Sequence, residues 1–330
     1  MVIIAFPHHT TTRLFPVHAP TPPADARSSA PIDLRRVRQL FSTPTRIAES
    51  AFLRREIAAR MQERLALVRL APHHILDAGC GDGADLPPLQ SRFPQAQLLG
   101  LDASAAMLAA AQTRQNAAMS SVTRMLSQWM PASMNVGRGM HPGLVGGDFA
   151  CLPLGSNAVD LVWSNLALHW HPQPDKVFAE WRRVLRVNGL LMFSCFGPDT
   201  FKEVRGAFDA VDRDVHVLPF VDMHDFGDML VEAGFATPVM DMEMITVTYD
   251  TVDRLLADVR AWGGNPLASR ARGLRGSASW NKINKALEDS RRADGKIPLS
   301  FEVIYGHAFR PVSRKTAGGE SIIRLDLPRK

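Results

Sequence analysis

Cysteine is scarce in this chain: Cys80, Cys151 and Cys195 are its three thiols in 330 residues. An odd number, widely spaced and set among apolar residues, does not make the disulfide framework of a secreted domain, so a reducing, cytoplasmic setting is expected. Long apolar runs are also missing. A bilayer-spanning helix needs about 20 uninterrupted apolar residues, and stretches such as Ile75 to Cys80 or Leu190 to Phe193 stop far short. No membrane partner is expected. His8-His9, His73-His74 and His169-x-His171 lack cysteine or carboxylate partners at ligand spacing, so no metal site is expected either. Neither Ser164 nor Ser194 sits in the Gly-x-Ser-x-Gly of a nucleophile elbow. The basic excess is small, 38 Lys and Arg against 33 Asp and Glu. Much of it falls in residues 310–330, with no basic stripe interleaved with aromatics, so nucleic acid is not the expected partner.

What is present is enough apolar chain, 46% by composition, for a substantial core. The first residues are an exception. Pro7, Pro16, Pro20, Pro22, Pro23 and Pro31 punctuate a segment with a single acid, Asp25, and no sustained periodicity, which predicts a disordered arm over residues 1–35. From Arg46 to Val68 the apolar spacing predicts one helix. Strand and helix then alternate: strands over His74–Ala78, Gln97–Leu101, Val159–Ser164 and Leu190–Cys195, helices over Leu86–Phe93, Ala105–Gln115 and Pro174–Arg186. In the last helix Val177, Phe178, Trp181, Val184 and Leu185 form one apolar stripe. Repeats of this length demand right-handed crossovers and a parallel sheet covered on both faces, so the expected fold is doubly wound α/β.

Two segments depart from the repeat. Residues 116–142 form a Met-rich insertion where a short connection is usual, read as a mobile loop in preference to a docking patch. Residues 251–296 have helical periodicity between a strand near Met242–Thr248 and a last strand near Phe301–Phe309, which predicts a helical cap on the sheet. The expected organisation is therefore a ligand-binding domain over 36–250, the cap and last strand over 251–310, and a basic tail over 311–330.

The most informative stretch is Ile75-Leu76-Asp77-Ala78-Gly79-Cys80-Gly81-Asp82-Gly83-Ala84. Glycines after a first strand let the backbone turn sharply and approach a ligand closely. Gly79-x-Gly81-x-x-Ala84 alone also satisfies a dinucleotide fingerprint, but carboxylates at Asp77 and Asp82 repel a pyrophosphate at that helix N-terminus. A cationic, phosphate-free cofactor fits better, and S-adenosylmethionine has that character. Asp77 suits its ammonium, with Gly79 and Gly81 allowing close approach. Asp102, ending the second strand, suits the ribose diol. Asp148 and Phe149, ending the third, offer an acceptor and a wall for adenine, and Asn165 follows the fourth strand into the crevice. Cys80 reads as a small packing residue.

LDAGCGDG with its downstream acids resembles the class I S-adenosylmethionine-dependent methyltransferases over residues 45–250. That resemblance implies a mostly parallel, seven-stranded Rossmann-like sheet. VDLVWSNLALHW, FGPDTFKEVRGAF, HVLPF and IPLSFEVIYGHAF are more narrowly similar to the malonyl-acyl-carrier-protein O-methyltransferases of biotin synthesis, which extends the similarity to about residue 310. The same segments are also similar to the mitochondrial complex I assembly factor of this fold, regarded as a protein-arginine hydroxylase. A small-molecule methyltransferase is a further alternative. The first resemblance implies an acidic acyl carrier protein bearing malonyl as partner. Its members often place a tyrosine from the N-terminal helix over the site, and Phe41 to Ser50 contains none.

A carboxylate acceptor is already ionised at neutral pH and needs no general base, and no evident catalytic base stands in the sequence; His169 is the nearest. A malonyl thioester needs a cation for its free carboxylate, which an arginine fork supplies. Arg205 and His216 are expected on the substrate side, with Trp170 as a wall. Arg182, Arg183 and Arg186 read as surface charges suited to an acidic carrier docking nearby.

Overall fold

The computed structural model describes residues 31–49, 51–118, 142–262, 264–270 and 276–312. The segments 1–30, most of the Met-rich insertion (119–141) and the tail from 313 lie outside the described residues. Residues 31–35, expected within the disordered arm, are folded. Ile32 is buried against Leu218 and Leu267, and the Asp33 side chain caps helix α1 (Leu34–Leu40) by accepting from the Arg35 and Arg36 amides.

The helix expected over 46–68 is two: α2 (Pro44–Ala48), started by a proline at its first turn, and α3 (Ala51–Ala66). The Arg54 Nη2 donates to the Ile47 carbonyl at 2.7 Å, satisfying an acceptor where α2 ends. Strands and helices then alternate as β1 (His74–Ala78), α4 (Leu86–Arg92), β2 (Gln97–Asp102), α5 (Ala105–Ala118), β3 (Gly143–Gly146), β4 (Val159–Asn165), α6 (Pro174–Val184) and β5 (Leu185–Phe196). The Pro174 helix stops two residues earlier than expected because Leu185 already pairs with Val159 as strand. Asn188, at φ 64°, turns the chain before the main run of β5 pairing. There follow α7 (Lys202–Asp209), α8 (Met223–Glu232), β6 (Ala236–Tyr249), α9 (Val252–Ala261), α10 (Ser277–Asp289) and β7 (Ile297–Phe309).

The seven strands form one sheet in the order β3-β2-β1-β4-β5-β7-β6. The first five are parallel, while β7 runs antiparallel to both β5 and β6. The last strand thus inserts between its predecessors, and the sheet is doubly wound and mostly parallel, as expected. On one face α6 and α8 bury Phe178, Trp181 and Phe226 against Leu191 and Phe193. On the other, Ile57 and Met61 of α3, Leu255 and Leu256 of α9, and Ile283 and Leu287 of α10 share a cluster with Phe301. Each large side chain so buried contributes about 1.5–3 kcal/mol. The helices of 251–296 therefore cover the sheet. Because β1 to β5 are parallel, the acids that end β1 and β2 and follow β3 open on the same edge, where ligands bind in such sheets.

Candidate cofactor and substrate site

The loop after β1 is held by its neighbour strand. The Gly79 and Cys80 amides both donate to the Leu101 carbonyl, at 2.8 and 2.9 Å, and the Gly81 amide donates to Asp102 Oδ2 at 2.9 Å. Folding the chain so tightly puts Gly79 at φ +83°, a conformation that side chains resist. A Cβ there would stand 2.4 Å from that of Ala167. Burial pushes the Cys80 thiol up, and Cys80 fills the space over Gly100, as its reading as a packing residue requires.

The acids around this loop are electrostatically crowded. Asp77 is 2% exposed, and its Oδ2 has no partner among the described residues. Burial first, then the charges of Asp85, Asp102 and Asp82, hold its carboxyl well above the usual range. Asp85 is also raised by burial, against the Trp163 Nε1 bond at 2.9 Å. Asp102 is raised by burial and restrained by the amides of Ser104, Gly81 and Ala103. Its Oδ1 accepts from the Ser104 amide at 2.7 Å and its Oδ2 from Gly81, so it holds both the glycine loop and the residue whose hydroxyl caps α5 by accepting from the Met107 amide at 3.3 Å. Arg54, a residue the sequence reading missed, brings a buried guanidinium toward Asp82 and Asp85. Leu53, Ile57, Ala58 and Met61 form the buried face of α3, and Arg54 lies at its edge, four residues before Ala58; a charge on an apolar edge is the signal that could have found it. An orphaned buried carboxylate beside a backbone cradle fits a cationic group without phosphate.

A cavity of about 70 Å³ adjoins the loop, with Gly79, Asp102, Phe149 and Trp170 among its lining residues. Sequence reasoning missed its roof, Val37, Arg38 and Phe41 from α1 and its end. The Met-free segment Phe41 to Ser50 lacks the tyrosine of the resemblance, yet Phe41 still brings an aromatic ring to this place. Asp148 lies in the turn after β3, its Oδ1 accepting from the Ala150 amide at 2.9 Å, with His171 Nε2 3.9 Å away. Asn165 ends β4, where its Nδ2 donates to the Arg54 carbonyl at 3.1 Å and its Oδ1 accepts from Ser194 at 2.9 Å.

A second cavity, of about 190 Å³, lies beyond Trp170, which lines both. Its walls are mainly aromatic, among them Phe196, Phe220 and Trp262, and His216 also lines it. His216 Nε2 is 2.7 Å from Asp212 Oδ1, and its ring stacks on Phe208 with centroids 4.4 Å apart. His169 stands behind this wall, its ring packed against Trp170, Phe196 and Phe220. It is 5% exposed, neither ring nitrogen has a partner among the described residues, and burial pushes its pKa down to about 3.

Two expectations about arginines are corrected. Arg205 is absent from the lining of either cavity, because its Nη2 donates to the Pro198 and Thr200 carbonyls at 2.6 and 3.1 Å and ties down the loop before α7. Arg182, Arg183 and Arg186 are engaged by the Gly234 carbonyl, Glu180 and Asp160. They lie where α6 leads into the start of β5, at the opposite end of the sheet from the crevice, so they do not face a carrier delivering substrate there.

The methyltransferase domain model matches residues 76–193. A malonyl-[acyl-carrier protein] O-methyltransferase of Laribacter hongkongensis is 45% identical over 298 residues, covering 89% of this chain and 96% of that one. The chain belongs to the malonyl-[acyl-carrier protein] O-methyltransferase family. A second member, from Gallionella capsiferriformans, is 44% identical over 301 residues, covering 90% and 97%. A putative methyltransferase of Bacillus halodurans has the same fold, with a TM-score of 0.51 at 16% identity over 77% of this chain and 99% of its own. Membership makes the protein an S-adenosylmethionine-dependent O-methyltransferase, and S-adenosylmethionine the cofactor that the acidic crevice fits. The assembly-factor and arginine-hydroxylase alternative is not favoured.

Proposed function

We propose that the protein methylates the free carboxylate of a malonyl thioester carried by an acyl carrier protein. The observation that carries the reading is Trp170, one wall shared by a cavity that Gly79 and Asp102 line and by a largely aromatic cavity beyond it. When bound, S-adenosylmethionine supplies a methyl group on a positively charged sulfur. On the cofactor side, Asp77 takes the ammonium, Asp102 the ribose hydroxyls, and Asp148 with Phe149 the adenine; Gly79 and Gly81 keep the approach clear, and Asn165 braces the crevice floor through Arg54 and Ser194.

On the acceptor side the walls do most of the work. Phe196, Phe220 and Trp262 exclude water, and a carboxylate stripped of water beside a fixed cation is attracted far more strongly than in bulk solvent. Transfer neutralises both charges, so an apolar wall favours it. Trp170 fixes the separation of the two ligands, which is the positional demand of an in-line displacement. No residue has to remove a proton, since a carboxyl with a pKa near 4 is ionised already. His169, neutral, packs behind Trp170, Phe196 and Phe220 and supports that wall without adding charge. His216, held by Asp212, lines the same cavity and presents its ring beside Phe208.

Incubation of the purified protein with S-adenosylmethionine and malonyl-acyl carrier protein is expected to give the methyl ester, read by intact mass. Absence of product at every enzyme concentration rejects the proposal.

A further inference from the structure

Arg260 stands at the exposed end of the acyl cavity, one position before the buried Ala261 that closes α9. Among the described residues it makes no hydrogen bond or ion pair. Of the other polar groups of that wall, His216 and Asn265 are engaged, while the Trp262 indole nitrogen has no partner among the described residues. His216 is bound to Asp212. Asn265 donates to the Val215 carbonyl at 2.8 Å and accepts from the Leu267 amide at 2.9 Å. A guanidinium at the rim of a largely apolar cavity, with no protein partner among the described residues, is free to take an anion on the ligand.

The acyl substrate of the proposed reaction, on which this inference rests, carries two anions. Its carboxylate has to reach the cofactor wall at Trp170, the inner end of the cavity. Its thioester continues outward into the neutral amide chain of a carrier's prosthetic arm, whose next charge is a phosphodiester. Leu256 and Trp262 flank Arg260 on the buried side, while Arg260 itself is exposed. We propose that Arg260 recognises the phosphate of the carrier-borne thioester arm and so selects phosphopantetheine-type thioesters over simpler malonyl esters. The carboxylate is left to the cofactor and the apolar wall.

The test uses the full chain and two synthetic acceptors that differ only in the phosphate, malonyl-pantetheine 4′-phosphate and malonyl-pantetheine, beside malonyl-acyl carrier protein. Arg260→Gln is expected to raise KM about tenfold for the two phosphorylated acceptors, to leave kcat unchanged, and to leave malonyl-pantetheine unaffected; Arg260→Lys is expected to recover part of the loss. Circular dichroism checks that the exposed substitution leaves the fold intact. An equal loss on both synthetic acceptors places Arg260 on the carboxylate and overturns the proposal. A loss confined to the carrier protein assigns it to the carrier's acidic surface, and no loss anywhere removes it from recognition; either result also overturns it. If the wild-type protein methylates none of the three, the failure is that of the malonyl reading.

Discussion

Phe41 and Trp170 meet edge to face, their ring centroids 5.4 Å apart and their planes at 79°. Phe41 ends the N-terminal helix α1, and its carbonyl accepts from the Ser104 hydroxyl at 2.9 Å. Trp170 belongs to the short turn after β4, Leu168–Trp170. One contact therefore joins the roof of the first cavity to the wall that both cavities share. The far end of the same roof is fastened to the acyl cavity: the Asp33 amide donates to the Pro266 carbonyl at 3.0 Å, and the Ala268 amide to the Pro31 carbonyl at 2.9 Å.

Removing that ring tests the join. Phe41→Ala is expected to cost about 1–2 kcal/mol of stability and to weaken adenosylhomocysteine binding about tenfold, the equivalent of 1.4 kcal/mol. Phe41→Tyr is expected to preserve both. Thermal denaturation and calorimetry read the two effects, and unchanged affinity in Phe41→Ala would show that the roof does not touch the cofactor.

Gly79→Ala addresses the loop itself. The left-handed backbone costs a side chain about 1–2 kcal/mol, and overlap with Ala167 adds about 1–3 kcal/mol, so a loss of about 3 kcal/mol is expected. Ala167→Gly in the same chain is expected to restore the overlap part and leave the backbone part. A double variant no more stable than Gly79→Ala, in denaturant unfolding, would contradict the close approach.

The acids and glycines after β1 were legible because a strand-end pattern is local: Asp77, Gly79, Gly81 and Asp102 are placed by a turn and one neighbouring strand. Asp148 and Phe149 were legible for the same reason. Phe41 and Arg260 were not, since each reaches its cavity from an element more than one strand–helix unit away from the glycine loop, and nothing near them in sequence marks a cavity; Arg54, on the helix just before β1, left only the faint signal of a charge at the edge of an apolar face. Arg205 shows the converse error. Its segment signals a substrate cation, but the Pro198 and Thr200 carbonyls that engage it become visible only when the loop before α7 is folded. The antiparallel insertion of β7 between β5 and β6 was equally hidden, because periodicity reports that a strand exists and says nothing of its neighbours.

His169 fixes an expectation about pH. With its pKa pushed down to about 3 by burial, the imidazole is neutral from pH 6 upward and has no proton-accepting limb to show there. Log kcat/KM for malonyl-acyl carrier protein is expected to be flat between about pH 6.5 and 8.5. His169→Phe, which keeps an aromatic ring behind the wall, is expected to leave the profile equally flat. A wild-type profile rising tenfold per pH unit through this range, and flattened in His169→Phe, would make His169 a general base instead.

Asp77 gives the opposite kind of dependence. Its carboxyl is raised by burial and by the neighbouring acids, so the folded, cofactor-free chain holds that proton more tightly than the unfolded chain does. The stabilisation is therefore present at low pH and is lost as pH rises through the folded value. Asp77→Asn imitates the protonated form, so it is expected to match the wild type below about pH 4, where the unfolded carboxyl is protonated too, and to become the more stable of the two as pH rises from there, in thermal scans without cofactor. A ligand ammonium beside Asp77 favours the ionised form and must expel the proton. Adenosylhomocysteine binding is thus expected to release protons in the wild type, more of them as pH is lowered, seen as a calorimetric enthalpy that differs between two buffers of different ionisation enthalpy, and to release none in Asp77→Asn. Equal enthalpies in the two buffers for the wild type would mean that Asp77 is ionised before the cofactor arrives, and that the crowding of acids at the ends of β1 and β2 is relieved some other way.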